Sequence, residues 1–312
     1  MQLIQPDEIH NRKILFSALN WGYGHVMRSM ILLKKLQNQG NDLYVVCTEE
    51  QEHLYRTEKL AAAYILNSGY PFDFGGKGNF AFDLWKNFSA LKRHYNDENK
   101  LVEKLCDELK INLVLADQSL GFRSNIVPSV LITHQVNLPI RWWQKPVQWL
   151  YNKELDKFNF IWIPDQAPPN NLAGWLSETT RKNVSYIGFL SRFDRNLNFK
   201  KKFDVGILVT GPQPYAQQFF DEMRKRFENS NLKVFIIYNG SDLRTFKNIE
   251  IFQHQVTEKM AELMCSADLL ISRSGYSSLM DFRALGIQNV ELHATAGQAE
   301  QEYMKERWLN MQ

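Results

Sequence analysis

The alternation of short apolar runs with longer stretches of helical period constrains this chain more than any other feature. Lys13–Ser17, Leu43–Cys47, Leu113–Ala116, Ser129–Thr133, Phe160–Ile163 and Val184–Ile187 are too short for buried helices and read as buried strands. Between them, Met27–Gln37 and Lys100–Lys110 carry apolar residues at helical spacing. Strands that alternate with helices join in parallel, because each crossover must return to the sheet edge it left. A polar segment, Phe193–Lys202, interrupts the rhythm, which restarts with Asp204–Val209, Lys233–Tyr238, Ile249–Phe252, Asp268–Ser272 and Asn289–Leu292. The expectation is an α/β protein of two Rossmann-like domains, 1–192 and 204–312, joined by a linker at 193–203.

Composition narrows the classes. The 312 residues are 44% apolar and 23% charged, which is ordinary globular usage and excludes disordered, collagen-like and coiled-coil architectures. The net charge of +3 comes from 37 Lys and Arg dispersed along the chain, so nucleic acid is not the expected partner. Cys47, Cys106 and Cys265 form no CxxC pair and encode neither a disulfide framework nor a zinc site, as suits a reducing cytoplasm. The first apolar run, Ile14–Leu19, is shorter than a signal-peptide core or a membrane span, so any membrane contact is expected to be peripheral.

In parallel sheets, ligands sit beyond the carboxyl ends of strands, where helix N-termini point positive partial charge outward. The residues after each strand therefore carry the functional reading. After Lys13–Ser17 comes Asn20-Trp21-Gly22-Tyr23-Gly24-His25, with a helix expected from about Val26. Gly22 and Gly24 allow close backbone approach to a phosphate, a carboxylate or a developing oxyanion, and His25 is either a general base or a residue that merely starts the helix. Asp117 and His134 also follow strands; each either assists His25 and the acceptor or caps a loop.

Two junctions of the second domain are rich in small polar residues. Thr210-Gly211-Pro212-Gln213-Pro214 follows Val209, and Arg273-Ser274-Gly275-Tyr276-Ser277-Ser278 follows Ser272. Hydroxyls and free amides there bind phosphate oxygens, although serine also caps helices with no ligand present. Asp281 lies two turns beyond Gly275, and Ala296-Gly297-Gln298-Ala299-Glu300-Gln301 follows the strand ending near His293. In the plainer reading, Asp281 is a solvated helix residue and the Gln/Glu cluster is a capping arrangement.

Five stretches in this order make the chain similar to the GT-B glycosyltransferases, near the branch of the bacterial lipid-intermediate N-acetylglucosaminyltransferase. They are Gly22–Arg28 (G-x-G-H-x-x-R), Gly188–Arg192, Thr210–Pro212, Ala267–Gly275 and Gly297–Gln301 (G-Q-x-E-Q). The resemblance implies two domains facing across a cleft. It implies Gly22, Gly24 and His25 at the acceptor and the reacting centre, a pattern that His134-Gln135 also fits. It places Arg192, Gly211, Ser274, Gly275 and Ser277 around the donor diphosphate, Asp281 at the ribose, and Gln298, Glu300 and Gln301 at the transferred sugar. The ribose position is Asp where the family pattern has Glu, and the chain ends at Gln312, soon after Gln301, so the second domain is expected to be short at its C-terminal end.

Glycosyl transfer needs an activated acceptor hydroxyl and stabilisation of the departing nucleoside diphosphate. No two aspartates are separated by a single residue anywhere in the chain, so neither a metal nor another cofactor is expected. With His25 as base, the expectation is an inverting, metal-independent transfer of a hexose or N-acetylhexosamine from a UDP-sugar to a sugar, glycan or lipid-linked acceptor. The alternatives are a nucleotide-sugar epimerase or hydrolase on the same fold, or a non-catalytic sugar-nucleotide-binding protein. Arg141–Tyr151 combines three tryptophans with two basic residues, which suits the headgroup layer at the inner face of a membrane, or else packs against the first domain. Pro146 argues against one continuous helix there. Acceptor contacts are expected in loops such as Gly69–Asn87.

Overall fold

A computed structural model of the chain describes residues 4–78, 80–140, 144–193, 199–240 and 246–311, with only the backbone at 80, 81, 84 and 85. The chain divides into two units, each built on its own parallel sheet. The first comprises Met1–Asn20, His25–Asp73 and Leu84–Leu190, and the second Trp21–Gly24, Phe74–Asp83 and Ser191–Gln312. The passage between units therefore falls at Leu190/Ser191, and the short segment carrying Gly22 and Gly24 groups with the second. Part of the expected linker, 194–198, lies outside the described residues.

In the first unit the order of elements is β1 (Lys13–Ala18), α1 (Tyr23–Asn38), β2 (Asp42–Cys47), α2 (Glu49–Thr57), β3 (Ala63–Leu66), α3 (Phe80–Leu109), β4 (Leu113–Asp117), β5 (Ser129–Ile132), α4 (Lys145–Leu155), β6 (Phe160–Ile163) and β7 (Val184–Tyr186). The strands form one sheet in the order β3-β2-β1-β4-β5-β6-β7, every neighbouring pair parallel. All residues of β4, β5 and β6 are buried, as strands covered on both faces require. Leu15, Val46, Val114, Leu131 and Ile161 pack there with Val102 and Leu105 of α3 and with Phe122.

The second unit runs β8 (Phe203–Leu208), α5 (Tyr215–Phe227), β9 (Val234–Ile237), β10 (Ile249–Phe252), α6 (Thr257–Cys265), β11 (Ala267–Arg273), α7 (Tyr276–Leu285), β12 (Val290–His293) and α8 (Ala299–Met311). Its sheet order is β10-β9-β8-β11-β12, again all parallel. Val205, Ile207, Val234, Ile236 and Ile271 form its core with Phe219, Phe220 and Met223 of α5.

Three local features refine the reading of the sequence. β3 is an edge strand with no fully buried residue, so it lacks the apolar run that marks the others. α3 begins at Phe80 and absorbs the end of the segment Gly69–Asn87; the polar stretch Asn96–Asn99 in its middle hides the continuity of the helix. Pro146 sits in the first turn of α4, where its missing N–H has no intrahelical acceptor to lose, and the described helix begins beside it, at Lys145. Arg141, Trp142 and Trp143 lie outside the described residues. No described helix is long and apolar enough to cross a membrane.

Candidate active site

In each sheet the order reverses at the strand that opens the unit: β1 lies between β2 and β4, and β8 lies between β9 and β11. Crossovers leave in opposite directions at these points, and the loops beyond the strand ends open a crevice. Ala18 pairs in register with Asp117, the last residue of β4, so the turn after β1 and the end of β4 lie side by side. Gly22, at φ +79, makes the turn that admits α1 already at Tyr23, which places His25 in the first turn of that helix.

One helical turn then assembles a cluster in the first unit. His25, Arg28 and Ser29, spaced i, i+3 and i+4, share a helix face, and all three reach Asp117. His25 Nδ1 lies 2.9 Å from Asp117 Oδ1, Arg28 donates through Nε to Oδ2 at 2.8 Å and through Nη2 to Oδ1, and the Ser29 hydroxyl donates to Oδ2 at 2.7 Å. His134 Nδ1 accepts from Arg28 Nη1 at 3.3 Å, so His134 joins the cluster through Arg28. Asp117, Arg28, Ser29 and His134 are buried, while His25 keeps a partly open edge.

The electrostatics fix the protonation states. Burial works against the ionised form of Asp117, yet the Arg28 guanidinium and then His25 hold its carboxyl below the usual range. An ionised Asp117 accepts from His25, which puts the imidazole proton on Nδ1 and leaves Nε2 as the basic nitrogen. Burial and the neighbouring Arg28 depress the His25 pKa, with Asp117 opposing them, so the imidazole is neutral at neutral pH. A neutral imidazole, oriented by a carboxylate, is equipped to take a proton from a hydroxyl. Arg28 and Ser29 were given no role from sequence, although two polar residues on an otherwise apolar helix face are a readable signal.

In the second unit the remaining expected residues fall into three groups. Asp281 Oδ1 accepts from the Ser191 hydroxyl at 2.7 Å, and Arg192 Nη1 lies 3.3 Å from His254 Nε2. Burial raises the Asp281 pKa to about 6 against the pull of Ser191 and Arg192, while burial and Arg192 depress that of His254 to about 3. Ser277 Oγ donates to the Gly24 carbonyl at 3.4 Å, and Gly275 directly precedes α7 as its N-cap. The buried Ser274 hydroxyl donates to the Gln301 carbonyl at 2.6 Å.

Gln301 is engaged within the chain: its Oε1 accepts from Thr295 N at 2.9 Å and its Nε2 donates to Gln298 Oε1. Its side chain therefore ties the loop before α8 to the helix, while Glu300 stays half-exposed. Sequence reasoning assigns nothing to Ser191, His254 and Thr295; Ser191 and Asp281 lie 90 positions apart and Arg192 and His254 62, so chain distance conceals these two pairs.

Residues 207–292 match the Glycosyltransferase family 28 C-terminal domain. No curated protein matches the sequence. Among solved structures, spinosyn rhamnosyltransferase SpnG complexed with thymidine diphosphate superposes with a TM-score of 0.61 at 13% identity, over 96% of this chain and 91% of that one. MurG of Acinetobacter baumannii gives 0.53 at 14% identity, over 96% and 84%. The S. aureus MnaA-UDP co-structure gives 0.56 at 11%, over 94% and 87%. At such identities the likeness establishes the fold: this chain has the two parallel α/β sheets of the GT-B glycosyltransferases, with a glycosyltransferase-type domain in its second unit.

Proposed function

We propose that this protein transfers a hexose or N-acetylhexosamine from a uridine diphosphate sugar to a hydroxyl of a sugar, glycan or lipid-linked acceptor, with inversion at the anomeric carbon. The observation that carries the reading is the 2.9 Å contact between His25 Nδ1 and an Asp117 locked by Arg28 and Ser29. As the acceptor oxygen bonds to the anomeric carbon and the bond to the diphosphate breaks, His25 Nε2 takes the hydroxyl proton. Arg28 and Ser29 hold the carboxylate that orients the ring. The second unit serves the donor, with Arg192 and the helix N-terminus at Gly275 offsetting diphosphate charge and Asp281 accepting from the ribose. The match of residues 207–292 to a glycosyltransferase domain supports this division, as do neighbours solved with thymidine diphosphate and UDP.

The test is product analysis with UDP-N-acetylhexosamines and UDP-hexoses, with and without a panel of hydroxyl acceptors. Acceptor-dependent release of UDP with a new glycoside is expected, unchanged by EDTA. Release without acceptor identifies a hydrolase, a changed sugar on an intact nucleotide identifies an epimerase, and binding without turnover identifies a non-catalytic binder.

Lipid-linked acceptors would bring the protein to a membrane surface, and α4 suits that contact. Its Trp149 and Leu150 are 56% and 52% exposed, with Val147 also exposed, and Lys153 Nζ lies 3.5 Å from the Trp149 ring centroid. Exposed rings beside ammonium groups match the headgroup layer of anionic lipid.

A further inference from the structure

Among the described residues, Arg273 is a buried cation of the second unit with no counter-charge. Arg273 ends β11 and is 4% exposed, and among the described residues only its Nη1 has a hydrogen-bond partner, the Thr295 hydroxyl at 3.0 Å. Its Nε and Nη2 have none. None of the ion pairs among the described residues involves it, and burial alone depresses its pKa to about 10. Guanidinium groups this deep are ordinarily matched by a carboxylate, because an unpaired buried charge costs several kcal/mol.

The position of this unpaired fork is specific. β11 and β8 are neighbours at the point where the sheet order reverses, so Arg273 stands beside the loop that follows β8. Gly211, at φ +94 in that loop, has Arg273 Nη2 only 2.3 Å from where a Cβ would stand, so the guanidinium occupies the side-chain space that glycine leaves. The next residues, Ser274 and Gly275, lead into α7, whose N-terminus opens at the same strand end. Thr295 is itself held by Gln301, so the Gly297–Gln301 segment fixes the guanidinium indirectly.

We propose that Arg273 provides the counter-charge for the diphosphate of the donor, with Thr295 and Gln301 as positioning residues that aim its fork at the Gly211 loop. A guanidinium presents paired N–H groups to phosphate oxygens, and a diphosphate carries the negative charge that matches it. The inference rests on the donor reading above but concerns anion binding alone, so it can be tested without turnover.

The experiment is calorimetric titration of the full-length protein and its Arg273→Met, Arg273→Lys and Thr295→Val variants with inorganic pyrophosphate, UDP and uridine. Wild type is expected to bind pyrophosphate, and UDP more tightly than uridine. Arg273→Met should lose pyrophosphate and bind UDP ~10- to 100-fold more weakly with uridine unchanged, as loss of a charge-assisted pair predicts. Arg273→Lys, which keeps the charge without the fork, should fall between and decides the matter if the methionine variant does not fold. Thr295→Val should show a smaller loss of the same selectivity.

Equal weakening of UDP and uridine, unchanged pyrophosphate binding in both Arg273 variants, or no binding of pyrophosphate and UDP by wild type would each overturn the proposal. If pyrophosphate binding depends on Arg273 while no acceptor is ever glycosylated, the proposed transferase activity falls and this inference stands.

Discussion

At the residue scale, His25 and Asp117 make the sharpest predictions. With His25 as the proposed base for the acceptor, His25→Ala should lower kcat ~10²-fold or more while leaving the Kd for UDP near wild type. Asp117→Asn should lower kcat as well, because an amide no longer enforces the tautomer with a free Nε2; melting curves on the same preparation separate this from loss of fold, as Arg28 would lose its buried partner. Because burial and Arg28 depress the His25 pKa, the acid limb of kcat/KM should lie below the usual imidazole value of about 6.5. A limb at or above that value would remove His25 as the base. Asp281 behaves oppositely. Its folded pKa of about 6 lies above the ordinary 3.8, so between those values the unfolded chain holds fewer protons and stability falls as pH rises. Asp281→Asn should therefore raise Tm at pH 7 and flatten its dependence on pH between these values, while weakening UDP; an unchanged Tm–pH curve would show that the carboxyl is not desolvated.

At the element scale, helix starts decide where side chains point. Thr48 caps α2 reciprocally with Gln51: Gln51 N donates to Thr48 Oγ1 at 3.3 Å and Thr48 N donates to Gln51 Oε1 at 3.0 Å. Gln51 also donates from Nε2 to the Ala18 carbonyl at the end of β1. Thr48→Ala should cost about 1 kcal/mol in denaturant unfolding, the usual value of such a cap, with kcat unaffected. For α4, flotation with anionic vesicles should carry the wild type up with the lipid and release it when Trp149 and Leu150 are both replaced by serine. Equal flotation of the two proteins would assign those side chains to another role.

At the scale of the whole molecule, two sheets with separate cores imply that a donor stabilises them unequally. UDP at ~100 times its Kd adds about 2.7 kcal/mol to whatever opening it opposes. Hydrogen exchange should show the gain in β8, β11 and α7, with β4 and β5 responding only where exchange needs global unfolding. Protection confined to the first unit would relocate the nucleotide. That outcome would leave the His25–Asp117 pair standing but remove the donor assignments.

The sequence alone determined the α/β class, the parallel sheets and the strand ends at which to look, because buried parallel strands need continuous apolar runs and helices need a period. It also placed His25, Asp117 and the loops at Gly211 and Ser274, since chemistry at such sheets gathers at strand termini. Edge strand β3 escaped because an exposed edge needs no apolar run. Only the tertiary structure brought Asp117 to His25 across 92 positions of chain, Ser191 to Asp281 and Thr295 to Arg273. It likewise turned Gln301 inward to its own backbone neighbours. Local propensity and period act over a few residues, whereas the pairing of polar side chains follows from which strands become neighbours. That order is fixed by the packing of the whole sheet.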